Sequence, residues 1–205
     1  MKLFSQEERW VAAAQKGDPD AFEALVRAYE KRTYAWALAL CGDPQDAAEA
    51  VQEAFFSAWR GLPDFRGEAS FSSWLYRLTR NASLDLLRRE KRHRAAAGLS
   101  LDDEDLFMEL PDRAAGPQEL LERQELREAV RRGLETLTSE YREVLVLREM
   151  HQLSYDEIAR TLELDLGTVK SRISRGRRQL SRFLCADGNF SGKHPSEPVK
   201  KEGRS

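Results

Sequence analysis

Apolar residues recur along most of the chain at a spacing near 3.6, the period of a helix that buries one face. After Asp20 the repeat runs through Phe22, Leu25, Val26, Tyr29 and Leu38, and after Asp43 through Ala47, Ala50, Val51, Ala54, Phe55, Ala58 and Trp59. A third stretch carries Phe71, Trp74, Leu75 and Leu78. Helix starts are equally well marked. Ser5 with Glu8 makes a capping-box pair, while Asp18 before Pro19 and Asp43 before Pro44 each place an acceptor at the N-cap and a proline at the first helical position. Together these predict a first helix bundle over residues 1–94.

Periodicity is lost over residues 95–118, where Gly98, Pro111, Gly116 and Pro117 gather around six acids between Asp102 and Asp112. Such a stretch predicts a flexible acidic linker. A second periodic region, residues 119–184, starts with Leu120, Leu121, Leu126, Ala129, Val130, Leu134 and Leu137. Residues 185–205 are polar and read as a disordered tail. The expected fold is all-α: an N-terminal helix bundle and a C-terminal helix-turn-helix bundle, two small domains joined by the acidic linker.

Composition supports this, being rich in Ala, Leu, Glu and Arg and poor in Gly and Pro. The net charge of -2 averages opposite segments, because Lys170 to Arg182 holds six bases and no acid. Cys41 and Cys185 form no CxxC pair, and His93, His151 and His194 have no ligand spacing, so no metal, cofactor or disulfide is expected. No apolar run suits a signal peptide or a bilayer span, which predicts a cytoplasmic protein with no direct membrane insertion. Neither a Gly-rich phosphate loop nor a nucleophile with an oriented base is present, which argues against an enzyme with a small-molecule substrate.

The most informative stretch is LSYDEIARTLELDLGTVKSRISRGRRQL, Leu153 to Leu180. Ser154 and Glu157 cap a short helix with Ile158, Ala159 and Leu162 on its buried stripe, and Asp165 caps a second by accepting from the backbone of Gly167 or Thr168. Val169, Ile173 and Leu180 then face inward, leaving Lys170, Ser171, Arg172, Ser174, Arg175, Arg177 and Arg178 outside. A short helix, a tight turn and a second helix with a basic outer face is the geometry that lays one helix in the DNA major groove.

With these residues in view, DEIARTLELDLGTVKSRISRGRRQL resembles the promoter -35 reading domain of bacterial sigma factors, in particular the extracytoplasmic function (ECF) group of the sigma-70 family. DAAEAVQEAFFSAW is similar to that family's core-polymerase-binding helix, and FRGEASFSSWLYRLTRNASLDLLRREKR to its -10 element segment. The resemblance implies a sigma factor that binds core RNA polymerase, directs it to -35 and -10 elements and helps promoter opening. It also implies an anti-sigma factor as a candidate partner.

Carried over residue by residue, the resemblance assigns Asp46, Glu49, Gln52, Glu53 and Phe56 to core polymerase. Phe65, Arg66, Gly67, Glu68 and Ser70 would meet a flipped base of single-stranded -10 DNA. Trp74, Tyr76, Arg77, Arg80 and Asn81 would follow on the next helix by stacking and cationic contact, and Arg88, Arg89, Lys91 and Arg92 would track duplex phosphates. Thr168, Lys170, Ser171, Arg172, Ser174, Arg175, Arg177 and Arg178 would read duplex -35 DNA. Three departures stand out, one of them Asp165 at a position where the family frequently has Pro or Ser. Ala48 and Glu49 occupy positions where the family commonly has two acids, and Glu163 sits where a turn glycine is frequent.

Helical phase divides the aromatics: Phe71 reads as core, Trp74 as core or boundary, and Tyr76, off the stripe, as the better exposed candidate. Two functions remain open from sequence, a sigma factor and a helix-turn-helix transcriptional regulator with an N-terminal sensing bundle. The acidic linker is either a spacer or an occupant of the nascent RNA path.

Overall fold

A computed structural model describes residues 5–97 and 117–186. The acidic cluster of the expected linker and the tail beyond residue 186 lie outside the described residues. Among those described, every regular element is helical, in the order α1 (Gln6–Ala14), α2 (Pro19–Cys41), α3 (Pro44–Gly61), α4 (Phe71–Ala97), α5 (Pro117–Glu135), α6 (Ser139–Leu145), α7 (Tyr155–Leu162) and α8 (Leu166–Ala186).

The expected caps are in place. Glu8 N donates to Ser5 Oγ at 3.2 Å and Ser5 N to Glu8 Oε2 at 2.7 Å, closing the box on α1. Asp18 accepts from the backbone of Asp20 and Ala21, and Asp43 from that of Gln45 and Asp46, so both proline-led helices start with satisfied amides. α2 stops at Gly42, whose φ of 78° is a left-handed C-cap that glycine adopts without strain.

In the first half, α1 to α4 pack around Leu25, Tyr29, Phe55, Leu62, Phe71 and Leu75. Ala47, Ala50, Ala54 and Ala58 are fully buried along one face of α3. These small side chains let α3 approach α2 and α4 closely, and Leu38, Ala82 and Leu86 complete that seam. In the second half, α8 crosses α6 at Gly176, where an added Cβ would meet Leu145 Cδ1 at 3.1 Å and Tyr141 Cβ at 3.3 Å. α6 runs into a π turn, Val146–Met150, which delivers His151 toward the first half.

The two halves share a core. Trp36 of α2 and Tyr76 of α4 join Leu137, Val144, Leu145, Val146, Leu147, Leu153, Ile158, Leu162, Val169 and Ile173 in one buried cluster. This corrects the expectation for Tyr76, which is only 1% exposed. A single 3.6-residue stripe finds one buried face, but α4 has two: one against α2 and α3, the other against α7. Leu126 departs in the opposite sense, being exposed on α5 despite fitting its stripe.

Candidate nucleic-acid interface

The loop from Phe65 to Ser70 is held at both ends. At its start, Gln15 Nε2 donates to the Phe65 carbonyl at 2.7 Å, an anchor from α1 that sequence reasoning missed. At its end, Ser70 Oγ accepts from Ser73 N at 3.2 Å and so caps α4. Between them Arg66, Gly67 and Glu68 are exposed, and Gly67 sits at φ 70°, a conformation that a side chain would strain.

Phe65, Phe71 and Trp74 form a continuous aromatic group, with Phe65 and Trp74 centroids 4.8 Å apart. Phe71 is core as expected, while Phe65 and Trp74 are half-buried at its edge. Trp74 lies against Gly61, where a Cβ would sit 3.2 Å from its ring, so the last turn of α3 is shaped to seat it.

Along the rest of α4, Arg77 and Asn81 are exposed, whereas Arg80 Nε donates to Glu143 Oε2 at 2.9 Å. The exposed run Arg88, Arg89, Lys91 and Arg92 is partly paired with nearby carboxylates, Arg88 lying 3.1 Å from Asp85 and Arg89 3.9 Å from Glu49 of α3. On α3, Glu49, Gln52, Glu53 and Phe56 are exposed and Asp46 is half-buried. Phe56 is 55% exposed, and the Arg60 guanidinium lies 5.4 Å from its ring centre. An exposed aromatic on a helix that also exposes the carboxylates Glu49 and Glu53 suits a partner surface carrying Arg or Lys.

In the helix-turn-helix, α7 has its capping box, with Glu157 N donating to Ser154 Oγ at 3.2 Å and Ser154 N to Glu157 Oε2 at 2.8 Å. The turn then requires a left-handed residue and uses Glu163, at φ 56°. Asp165 Oδ1 accepts from Thr168 N at 2.8 Å, so Thr168 is half-buried at the start of α8. The Thr168 side chain and backbone bonds hold the Asp165 carboxyl below its ordinary pKa.

Val169 and Ile173 are buried, and Lys170, Ser171, Ser174, Arg175, Arg177 and Arg178 are exposed on the other face of α8. Arg172 is half-buried and pairs with Glu140 at 3.1 Å, while Arg177 pairs with Glu149 at 2.5 Å. Among the described residues Lys170, Arg175 and Arg178 make no ion pair, which leaves them the readiest cations for DNA.

Where the halves meet, the Tyr76 and His151 rings lie against each other at a tilt of 40° with centroids 4.5 Å apart, and Trp36 meets the imidazole edge-on at 6.3 Å while its Nε1 donates to the Tyr76 carbonyl at 3.1 Å. Both His151 ring nitrogens are buried without a hydrogen bond among the described residues. Burial, with the Arg32 charge adding to it, pushes the His151 pKa down to about 4. Burial likewise pushes Tyr76 up to about 12. Ser70 Oγ donates to Glu157 Oε1 at 3.1 Å, and Arg160 donates to the Glu68 carbonyl at 3.0 Å. Glu143, Glu157, Arg160 and His151 were not singled out by sequence as residues that join the halves; the one signal for Glu143 is an acid at the head of the apolar run Val144–Leu147.

Two packed helical halves, one with a basic helix-turn-helix and the other with an acidic aromatic face beside a basic aromatic segment, define a helical DNA-binding transcription protein. Comparison narrows the class. Sigma-70 region 2 matches residues 25–93 and Sigma-70, region 4, matches residues 127–180. The RNA polymerase sigma-H factor of Pseudomonas aeruginosa is 32% identical over 87% of this chain and 94% of its own. The ECF RNA polymerase sigma-E factor of Escherichia coli K12 is 34% identical over 83% and 90%.

Among solved structures, CnrH in complex with the cytosolic domain of CnrY shares 30% identity at a TM-score of 0.64, covering 89% of this chain and 99% of that one. The sigma factor RpoE of Bartonella quintana, solved with the anti-sigma factor NepR, shares the fold at 22% identity and a TM-score of 0.67, over 81% and 98%. The chain belongs to the sigma-70 family, as a promoter-recognising sigma factor of the ECF group. The alternative of a helix-turn-helix regulator with a sensing bundle is not favoured.

Proposed function

We propose that residues 1–94 form the unit that binds core RNA polymerase and opens the -10 element, and that residues 119–184 form the unit that reads the -35 element. Residues 95–118 connect them, and 185–205 are an appended tail. The observation that carries this reading is the pairing, in one chain, of an exposed acidic aromatic face on α3 with a basic face on α8 where Lys170, Arg175 and Arg178 make no ion pair among the described residues, each within its own family match.

In this reading α3 docks through Glu49, Gln52, Glu53 and Phe56, with Asp46 at its edge. The α8 cations Lys170, Arg175 and Arg178 enter the major groove, where guanidinium and ammonium groups bond guanine O6 and N7, and Ser171 and Ser174 permit close approach. Arg172 and Arg177 change partner from carboxylate to phosphate. The Phe65–Ser70 loop and the exposed Arg77 and Asn81 take the opened strand, and Arg88 to Arg92 grip the duplex beyond it.

Polymerisation chemistry belongs to core polymerase, and the chain acts in the cytoplasm as a non-catalytic specificity subunit. No described helix is long and apolar enough to cross a membrane. CnrH, a 30% identical neighbour, is bound by the cytosolic domain of CnrY, and a protein partner of the anti-sigma kind is proposed here as well. The test is run-off transcription with core polymerase and a supercoiled promoter library. Initiation at sites sharing two spaced elements is expected; no initiation, with operator binding in the absence of core, would overturn the proposal.

A further inference from the structure

The strand-reading loop, Phe65 to Ser70, exposes its central residues Arg66, Gly67 and Glu68, so its course within the first half is set at its two ends. The far end is fixed locally, by the Ser70 cap on α4. The near end depends on a residue 50 positions earlier in the chain, for Gln15 Nε2 donates to the Phe65 carbonyl at 2.7 Å. Phe65 is also held through its N–H, which donates to the Leu62 carbonyl at 3.1 Å, and through its ring, which lies against Phe71 and Trp74.

A trans peptide is planar, with its C=O and N–H on opposite sides. Turning the Phe65 carbonyl toward Gln15 therefore turns the Arg66 N–H away from α1. The dihedral held in this way is ψ of Phe65, at 109°, which sets the direction in which Arg66 and Gly67 continue. Without the Gln15 donor, ring packing and the Leu62 bond restrain Phe65 itself but leave the Phe65–Arg66 peptide free to turn.

The donor is firmly placed. Gln15 closes α1 with its own N–H on the Val11 carbonyl at 2.9 Å, and the turn beyond it is bonded back to α1 through the amides of Lys16, Gly17 and Asp18. Near its start α1 is tied to α2, where Tyr29 donates its hydroxyl to Glu7. The Tyr29 ring meets Phe71 edge-on at 5.4 Å, and Phe71 meets Phe65 at 6.3 Å. α1 thus grips the aromatic group from one end and the loop from the other.

We infer that Gln15 is a positioning residue for -10 recognition: by holding the Phe65 carbonyl it sets the loop conformation in which Arg66 to Glu68 discriminate among bases. The inference rests on the strand-reading role proposed for that loop. It adds α1, which lies outside the matched residues 25–93, to the promoter-reading machinery.

The experiment charges core polymerase with the full chain and measures run-off initiation from a promoter library randomised across the -10 element, with the -35 element constant. Gln15→Met keeps the side-chain length and removes the donor. Preference for the best base over the next at the loop-read position should fall about fivefold, the worth of one neutral hydrogen bond, with preferences elsewhere in the element unchanged. Gln15→Lys supplies a donor that reaches the carbonyl and should restore the preference. A merely structural role lowers initiation from all templates alike, because the folded fraction cancels in a ratio between templates. That uniform loss, wild-type preference in Gln15→Met, or flattening that persists in Gln15→Lys would overturn the inference. Arg66→Ala and Glu68→Ala, made in parallel, report on the loop itself. Preference altered by these but not by Gln15→Met sinks this inference alone, whereas preference unaltered by all of them sinks the underlying role.

Discussion

The Ser70 hydroxyl donates to Glu157 at 3.1 Å, joining the N-cap of α4 to the capping box of α7. One carboxylate thus serves two helix starts in different halves. The burial of Glu157 favours its neutral form, but the bonds from Ser154 and Ser70 outweigh this and leave its pKa lowered. Glu157→Ala should expose both starts and cost about 1–2 kcal/mol, a capping-sized loss. Urea unfolding followed by circular dichroism measures it; Glu157→Gln should recover most of the loss.

Acid should loosen the junction through His151. Its ordinary pKa of 6.5 falls to about 4 in the closed chain. Above pH 6.5 the imidazole is neutral in both states and closure is undiminished. As pH falls from 6.5 to about 4 the separated form takes up the proton first, and closure loses up to about 3 kcal/mol. The titratable or charged groups beside His151 are Arg32 of α2, which opposes its protonation, and Tyr76 of α4, which stays neutral throughout this range. Amide exchange at Tyr76, compared between wild type and His151→Phe, isolates the effect; the variant should lack the added exchange on acidification.

Glu163 sits at φ 56°, where a side chain is strained. Glu163→Gly relieves this and should stabilise the second half by up to about 1 kcal/mol, the left-handed penalty less the greater freedom of glycine in the unfolded chain. A higher melting temperature is the expected readout. A lower one would mean that the Glu163 side chain makes contacts that outweigh the strain.

Much of the fold was legible because its signals are local. A serine or aspartate three residues before a partner amide is enough to start α1, α2, α3, α7 and α8, and a single stripe placed Phe71, Val169 and Ile173 in the core. Tyr76 and His151 were not legible, because their burial depends on a surface distant in sequence. Glu143 was hidden for the same reason: an acid within a buried run makes sense only once Arg80 is opposite. Gln15 lies outside the matched family region, and its bond to Phe65 depends on how α1 returns over the loop.

Gln15→Ala should therefore free the start of the strand-reading loop without disturbing the -35 face. Promoter opening, followed by permanganate reactivity of unpaired thymines, is expected to fall severalfold, while binding of an isolated -35 duplex stays at wild-type level. Loss of both would point to general unfolding.

Arg175→Ala should weaken duplex -35 binding by about 1–3 kcal/mol and relax base preference at one position. An unpaired phosphate contact would instead lower affinity equally for all sequences, so competition among duplex variants separates the two.

α4 is unbroken for 27 residues, from the edge of the strand-reading loop to the basic run. At 1.5 Å per residue, Ser70 and Arg89 are separated by roughly 28 Å of straight helix. On stacked DNA that span is about eight nucleotide steps. On the strand and duplex contacts proposed above, the helix would act as a ruler: its length would fix the distance between the first unpaired base and the last gripped duplex phosphate. Inserting a full turn would move the melting boundary along the promoter, whereas changing any single side chain would only alter how firmly it is held.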